Sequence, residues 1–197
     1  MPLRTEIFHS LYGAWRLLLL DRNGMGWFNL TVTGFWRSFL AAVIVSPFYF
    51  GTLDMGMQGA VEPEGLLPVR TLQYAAGWIS FPIIMIIVTR LMEWTDRYVS
   101  YIVAYNWSSV IMITVMLPVT LLVQAYRAPG PRFDLFDALY YVVFMFTLFY
   151  SWFVAHTALR IGPFTAVAIV LLDLIVAFSI SMGGSLLLAG GTGAQPV

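Results

Sequence analysis

One acid, Asp173, stands near the middle of the most apolar stretch of this chain, residues 163–189. A carboxylate at the centre of a bilayer costs about 3 kcal/mol on insertion scales, so it normally faces the interior of a bundle and has a partner. Steps along one helical face from Asp173 lead to Ala177, Ser181 and Ser185, with Gly184 alongside. Such a stripe of small residues lets another helix approach closely. The opposite stripe, Leu171, Leu174, Ile175 and Phe178, suits lipid. Counting residues inward from the flanking turns brings Tyr150, Asn106 and Ser109 to a similar depth, about 15 Å from the same end at ~1.5 Å per residue. These four residues form a candidate intramembrane polar cluster, in which Asp173 is expected to bond Tyr150, Asn106 or Ser109.

A second candidate group, His156, Arg160, Arg90 and Glu93, falls at connections between apolar stretches and would lie at the membrane surface. Plain interfacial polar residues are the favoured account of it. The two histidines, His9 and His156, are at unmatched depths, which speaks against a bis-histidine haem. Cysteine is absent, which removes thiolate metal sites, disulfides and cysteine nucleophiles. No Gly-rich phosphate loop, zinc-protease helix or Gly-x-Ser-x-Gly elbow occurs. The expectation is a protein without enzyme activity and without metal or other cofactor.

The elements that must position these residues are legible from hydropathy. Apolar residues make up 60% of the 197-residue chain and charged residues 10%, well below the quarter or so of soluble domains. With mean hydropathy of +0.83 and zero net charge, this is the composition of an integral membrane protein with no nucleic-acid footprint. Apolar runs at 35–53, 71–89, 98–126, 135–159 and 163–189 each approach or exceed the ~20 residues needed to cross a bilayer. Pro47, Pro82 and Pro118 lie inside three of them and are expected to bend them. The fold class is therefore all-α, a bundle of five transmembrane helices. Residues 54–70, with Glu62 and Glu64, read as a solvated loop, and 127–134 as a turn.

Residues 7–20 place Ile7, Phe8, Leu11, Trp15, Leu18 and Leu19 on one side of a helix, with Glu6, His9, Ser10, Gly13 and Arg16 mostly on the other. That pattern suits an amphipathic helix in the membrane interface. A signal peptide is disfavoured, because Arg16 interrupts the apolar run and no small-residue cleavage site follows. The expected organisation is an amphipathic cytoplasmic segment at 1–34, a five-helix domain at 35–190 and a short disordered tail at 191–197. All ten basic residues are Arg, which fits a GC-rich bacterial genome and so the bacterial inner membrane.

A cytoplasmic amphipathic lead-in followed by five spans resembles the Yip1-domain superfamily, the best local match being the polar entry to the third span, Arg97-Tyr-Val-Ser-Tyr-Ile-Val-Ala-Tyr-Asn106-Trp-Ser-Ser109. The Asp-Leu-x-Gly-Pro and Tyr-Pro-x-Gly-Leu-Trp motifs of the eukaryotic members are absent. The resemblance implies a non-catalytic protein that organises or accompanies other membrane components, with the lipid bilayer, other membrane proteins or further copies of itself as partners. A small channel or an ion- or proton-coupled carrier using Asp173 is the alternative. A cavity reaching Asp173 would favour the carrier, and a sealed hydrogen-bonded core the organiser.

With the N-terminus inside, Arg4, Arg16, Arg22, Arg37, Arg90, Arg97 and Arg160 fall on the cytoplasmic side, against Arg70, Arg127 and Arg132 outside. Reporter fusions test this count. A fusion at Arg97 is expected to report a cytoplasmic position and one at Val197 an external one, and a cytoplasmic signal at Val197 would overturn the orientation or the number of spans.

Overall fold

The computed structural model describes residues 1–56, 65–126 and 134–192, and every regular element among them is helical. In chain order these are α1 (Leu3–Leu18), a 3-10 turn (Arg22–Trp27), α2 (Val32–Ser38), α3 (Leu40–Gly56), α4 (Leu66–Leu91), a second 3-10 turn (Thr95–Arg97), α5 (Tyr98–Tyr126), α6 (Leu135–Leu159) and α7 (Pro163–Thr192). Five stretches are long and apolar enough to cross a membrane: Val32–Thr52, Leu66–Leu91, Thr95–Tyr126, Leu135–Leu159 and Pro163–Ala189. The chain is a multi-pass membrane protein with an all-α bundle.

Helix ends follow local chemistry. Asp134 caps α6 by accepting from the backbone N–H of Phe136 and Asp137 at 2.8 and 2.9 Å, and Asp137 accepts in return from Asp134 N–H at 3.2 Å. At the other end Arg160 takes the left-handed conformation, φ 52°, and Pro163 opens α7 three residues later. The four-residue turn makes α6 and α7 antiparallel neighbours, as its length requires.

Two boundaries differ from the hydropathy reading. The first span is broken at Phe39 into α2 and α3. Part of the expected 54–70 loop is helical, because α4 starts at Leu66 on a run of aliphatic residues. Glu62, Glu64, Arg127 and Arg132 lie outside the described residues, as does 193–197 of the tail, whereas α7 itself continues through Thr192.

The bundle is built around the first half of α5, where Tyr101, Ile102, Val103, Ala104, Asn106, Trp107, Ser108 and Val110 are all buried, and therefore on every side of the helix. The helices α1, α2, α3 and α6 pack against it. The burial of α1 differs from that of a helix floating between lipid and water. Its polar and small stripe, Glu6, Ser10, Gly13, Ala14 and Leu17, is turned into the protein, while Phe8, Tyr12, Trp15 and Leu19 are exposed. Charge neutralisation makes this affordable. Glu6, 2% exposed, accepts from Arg37 Nη1 at 2.6 Å and from Asn29 Nδ2 at 2.8 Å, so a buried carboxylate has both a counter-charge and a neutral donor.

The 3-10 turn after α1 folds back on it through two glycines. A Cβ on Gly24 would lie 2.6 Å from Gly13 O, and one on Gly13 would lie 2.8 Å from Gly24 O. Asp21 caps this turn. It accepts from Asn23 N–H at 2.9 Å and pairs with Arg16. The Asn23 N–H first, and Arg16 after it, hold the Asp21 carboxyl below the usual carboxylate range. Its contribution to holding the turn is therefore present above the ordinary Asp titration range and is lost as pH falls through the lowered value.

The backbone contact yields a clean comparison. Gly24→Ala is expected to destabilise the protein by about 1–3 kcal/mol through overpacking, seen as a lower melting temperature in detergent. Gly26→Ala, where a Cβ would meet nothing within 4 Å, is expected to be near neutral. Equal melting of the two variants would contradict the close approach of α1 and the turn.

Candidate functional site

Two separate polar assemblies occupy the depth at which one cluster was expected. The first is sealed. Tyr150, 1% exposed, donates its hydroxyl to Ala14 O at 2.7 Å and lies 2.9 Å from Ser108 Oγ, joining α1, α5 and α6. One turn away Asn106, fully buried, donates from Nδ2 to Ser38 Oγ at 2.8 Å, and Ser38 in turn donates to Phe35 O at 2.7 Å. Tyr150 lies nine residues before the end of α6, about 14 Å along the axis, so α1 reaches well into the bundle at this point.

The second assembly contains Asp173 and is open. Asp173 Oδ1 accepts from Tyr105 Oη at 2.9 Å. The expected bonds from Asp173 to Tyr150, Asn106 or Ser109 are not formed. The depth was right, but the azimuth was not: Tyr150 points from α6 toward α1 and α5, Asn106 points toward α2, and Ser109 donates to Tyr105 O within its own helix at 3.0 Å. Ser109 does share a cavity with Asp173. Tyr105 is the residue that sequence reasoning missed. Its spacing from Tyr101, and its position one residue before Asn106 at the right depth, were the available signals.

The cavity has a volume of about 500 Å³ and lies between α3, α4, α5 and α7. Such a volume is within the usual range for small-molecule sites. Tyr74, Trp78, Phe81 and Tyr105 supply aromatic wall, and the ring of Phe81 sits 4.9 Å from that of Tyr105. Tyr74 is fixed by donating to Ala42 O at 2.5 Å. The small-residue stripe of α7 borders this space through Ala177 and Ser181. It also receives Gln73, whose Nε2 donates to Ile180 O and Ser181 O at 3.1 Å each. Gly184 allows this, since a Cβ there would lie 2.0 Å from Gln73 Nε2.

Opposite charges stand at the two ends of the cavity. Asp173 is at one, and among the described residues Tyr105 is its only hydrogen-bond donor, which leaves the second carboxyl oxygen for a ligand, an ion or water. Arg70 is at the other. Its Nη1 donates to Gln73 Oε1 at 3.1 Å, while its buried Nε has no partner among the described residues. Asp173 and Ile180, which meets Gln73, are seven residues apart, or about 10 Å along α7. A buried donor without a partner and a half-satisfied carboxyl facing one space are the features of a site that completes its hydrogen bonding with a ligand.

The surface group also separates. His156 and Arg160 lie together at the end of α6, but Arg22 from the turn after α1 joins them, with Nη2 3.2 Å from His156 Nε2. Arg90, in the last turn of α4, and Glu93, in the connection that follows, do not line that cleft. Among the described residues the ion pair within 90–97 is Arg97 with Asp96 at 3.7 Å, and Glu93 breaks the helical spacing there with φ 60°. Arg97 instead donates to Leu159 O at 2.9 Å and to Arg160 O at 3.4 Å, tying the α4–α5 connection to the end of α6. Among the described residues no group of three or more His, Cys, Asp and Glu could hold a metal ion. No family model, curated protein or solved structure matches this chain.

Proposed function

We propose that this protein is a non-catalytic, proton-coupled carrier that binds a small zwitterionic solute in the α3–α4–α5–α7 cavity. The observation that carries this reading is the cavity itself, about 500 Å³, which joins a half-satisfied Asp173 to an Arg70 with an unpartnered Nε. The cationic group of the solute would sit at Asp173 against the faces of Phe81 and Tyr105, where carboxylate and aromatic quadrupole both favour positive charge. Its anionic group would sit at Arg70. A proton and the solute's cationic group compete for the same carboxyl, and that competition is the elementary coupling step. Asp173 belongs to the class of intramembrane acids that mark ion and proton pathways.

The second reading is the organiser that a Yip1-like architecture implies. It draws on the sealed Tyr150 and Asn106 bonds and on the exposed Phe8, Tyr12 and Trp15 of α1. Under it, Asp173 and Tyr105 form one more clamp between α5 and α7. The cavity supports the carrier over this reading, and the arginine count supports a cytoplasmic N-terminus in either case.

The experiment is a melting screen of the purified protein against zwitterionic solutes: amino acids, betaines and dipeptides. At least one of them at 100 times its Kd is expected to stabilise the wild type by about 2.7 kcal/mol and to move protons when added to proteoliposomes. Asp173→Asn is expected to fold but to lose both responses, and Arg70→Gln to weaken binding. If no member of the class shifts the melting of the wild type, or if Asp173→Asn responds as the wild type does, the carrier reading fails.

A further inference from the structure

A second site lies at the arginine-rich end, away from the cavity and independent of its function. The cleft between the turn after α1 and the end of α6 has a volume of about 470 Å³ and is lined by Arg22, Met25, His156, Thr157, Arg160 and Ile161. Two guanidinium groups border it and no carboxylate does. Among the described residues Glu6 pairs with Arg37, Asp21 with Arg16 and Asp96 with Arg97, and Glu93 of the α4–α5 connection does not line the cleft. The described lining of the cleft therefore carries a net positive charge.

The cleft is also built rather than incidental. His156 Nδ1 donates to Ile161 O at 2.5 Å, which in the neutral ring leaves Nε2 to accept from Arg22 Nη2 at 3.2 Å. The imidazole is in turn held by stacking on Trp152, ring centroids 5.4 Å apart and planes 6° from parallel. Trp152 is anchored by donating Nε1 to Pro163 O at 2.9 Å. Arg160 projects from a left-handed cap, φ 52°, whose carbonyl Arg97 reaches from the neighbouring connection. Thr157 Oγ1, on the wall, is buried without a partner. Two arginines and a histidine held by Trp152 line one space.

Position narrows the anion. Trp27, Trp94 and Trp152 lie in or beside the connections at this end, as tryptophans of the membrane–water boundary do. A basic pocket between helices at that level takes an anionic headgroup, and arginine is the side chain suited to its phosphate oxygens. We propose that the Arg22–His156–Arg160 cleft binds the phosphate of an anionic phospholipid, with the acyl chains lying along the exposed apolar surface of α6 and α7 at Phe149 and Phe164.

Native mass spectrometry of the full-length protein in detergent tests this, with phosphatidylglycerol, phosphatidylcholine and inorganic phosphate as probes. The wild type is expected to retain phosphatidylglycerol in preference to phosphatidylcholine, and to keep it when inorganic phosphate is added. Arg22→Gln/Arg160→Gln is expected to lose about 25-fold of that preference, about fivefold for each arginine near the surface. Arg4→Gln/Arg90→Gln removes the same charge outside the cleft and is expected to leave the preference unchanged. Equal loss in the two double variants would show diffuse attraction and overturn the site. Displacement of the lipid by inorganic phosphate would assign the cleft to a free anion and overturn the lipid proposal, as would retention of the preference in Arg22→Gln/Arg160→Gln.

Discussion

Inside a bilayer the hydrophobic effect does not distinguish a neighbouring helix from a lipid tail, so hydrogen bonds and close packing decide which helices meet. In this protein those decisions converge on less than two turns of α5. Tyr105 donates to α7 through Asp173, Asn106 donates to α2 through Ser38, and Ser108 meets α6 and α1 through the Tyr150 hydroxyl that also reaches Ala14 O. Each bond is worth about 0.6–2 kcal/mol in a membrane. Because successive residues on a helix turn by about 100°, these near-adjacent side chains address different neighbours and set the arrangement of the bundle around one axis. The arrangement fails if α5 rotates or slides by a single residue.

The same constraint explains why one side of α5 is sealed and the other is open. Toward α1, α2 and α6 the polar groups meet small partners, Ser38, Ser108 and the backbone of Ala14, so the helices close on them. Toward α7 the bond runs from Tyr105 to Asp173, while Gln73 bridges α4 to α7 nearer the other end. Helix α7 packs on α4 and α6 rather than directly on α5, which leaves the aromatic-walled space between α5 and α7.

Much of this architecture was legible from hydropathy, because a span is a local property of about 20 residues. The ends of α5 and α6 fall where the apolar runs at 98–126 and 135–159 begin and stop. Depth was legible for the same reason, as it needs only a residue count from a turn. Facing was not. Whether Tyr105 or Asn106 meets Asp173 depends on how α5 is rotated against helices far away in sequence, and nothing within the third span reports that. The buried stripe of α1 was hidden in a similar way. Glu6 on a polar face reads as solvent-facing until Arg37, thirty-one residues on, is seen to neutralise it. Arg22 was likewise absent from the expected surface group because its partner His156 is 134 residues distant.

Helix α5 separates a closed core from an accessible cavity, and adjacent serines lie on the two sides. Ser109 lines the cavity, while Ser108 is 1% exposed and bonded to Tyr150. The chain has no cysteine, so Ser109→Cys and Ser108→Cys each carry a single thiol that can be followed with a small membrane-permeant maleimide. Labelling of the folded protein in liposomes is predicted at Ser109→Cys and not at Ser108→Cys. Equal reaction at both positions, or reaction at Ser108→Cys alone, would contradict the division of the bundle into a sealed side and an open one.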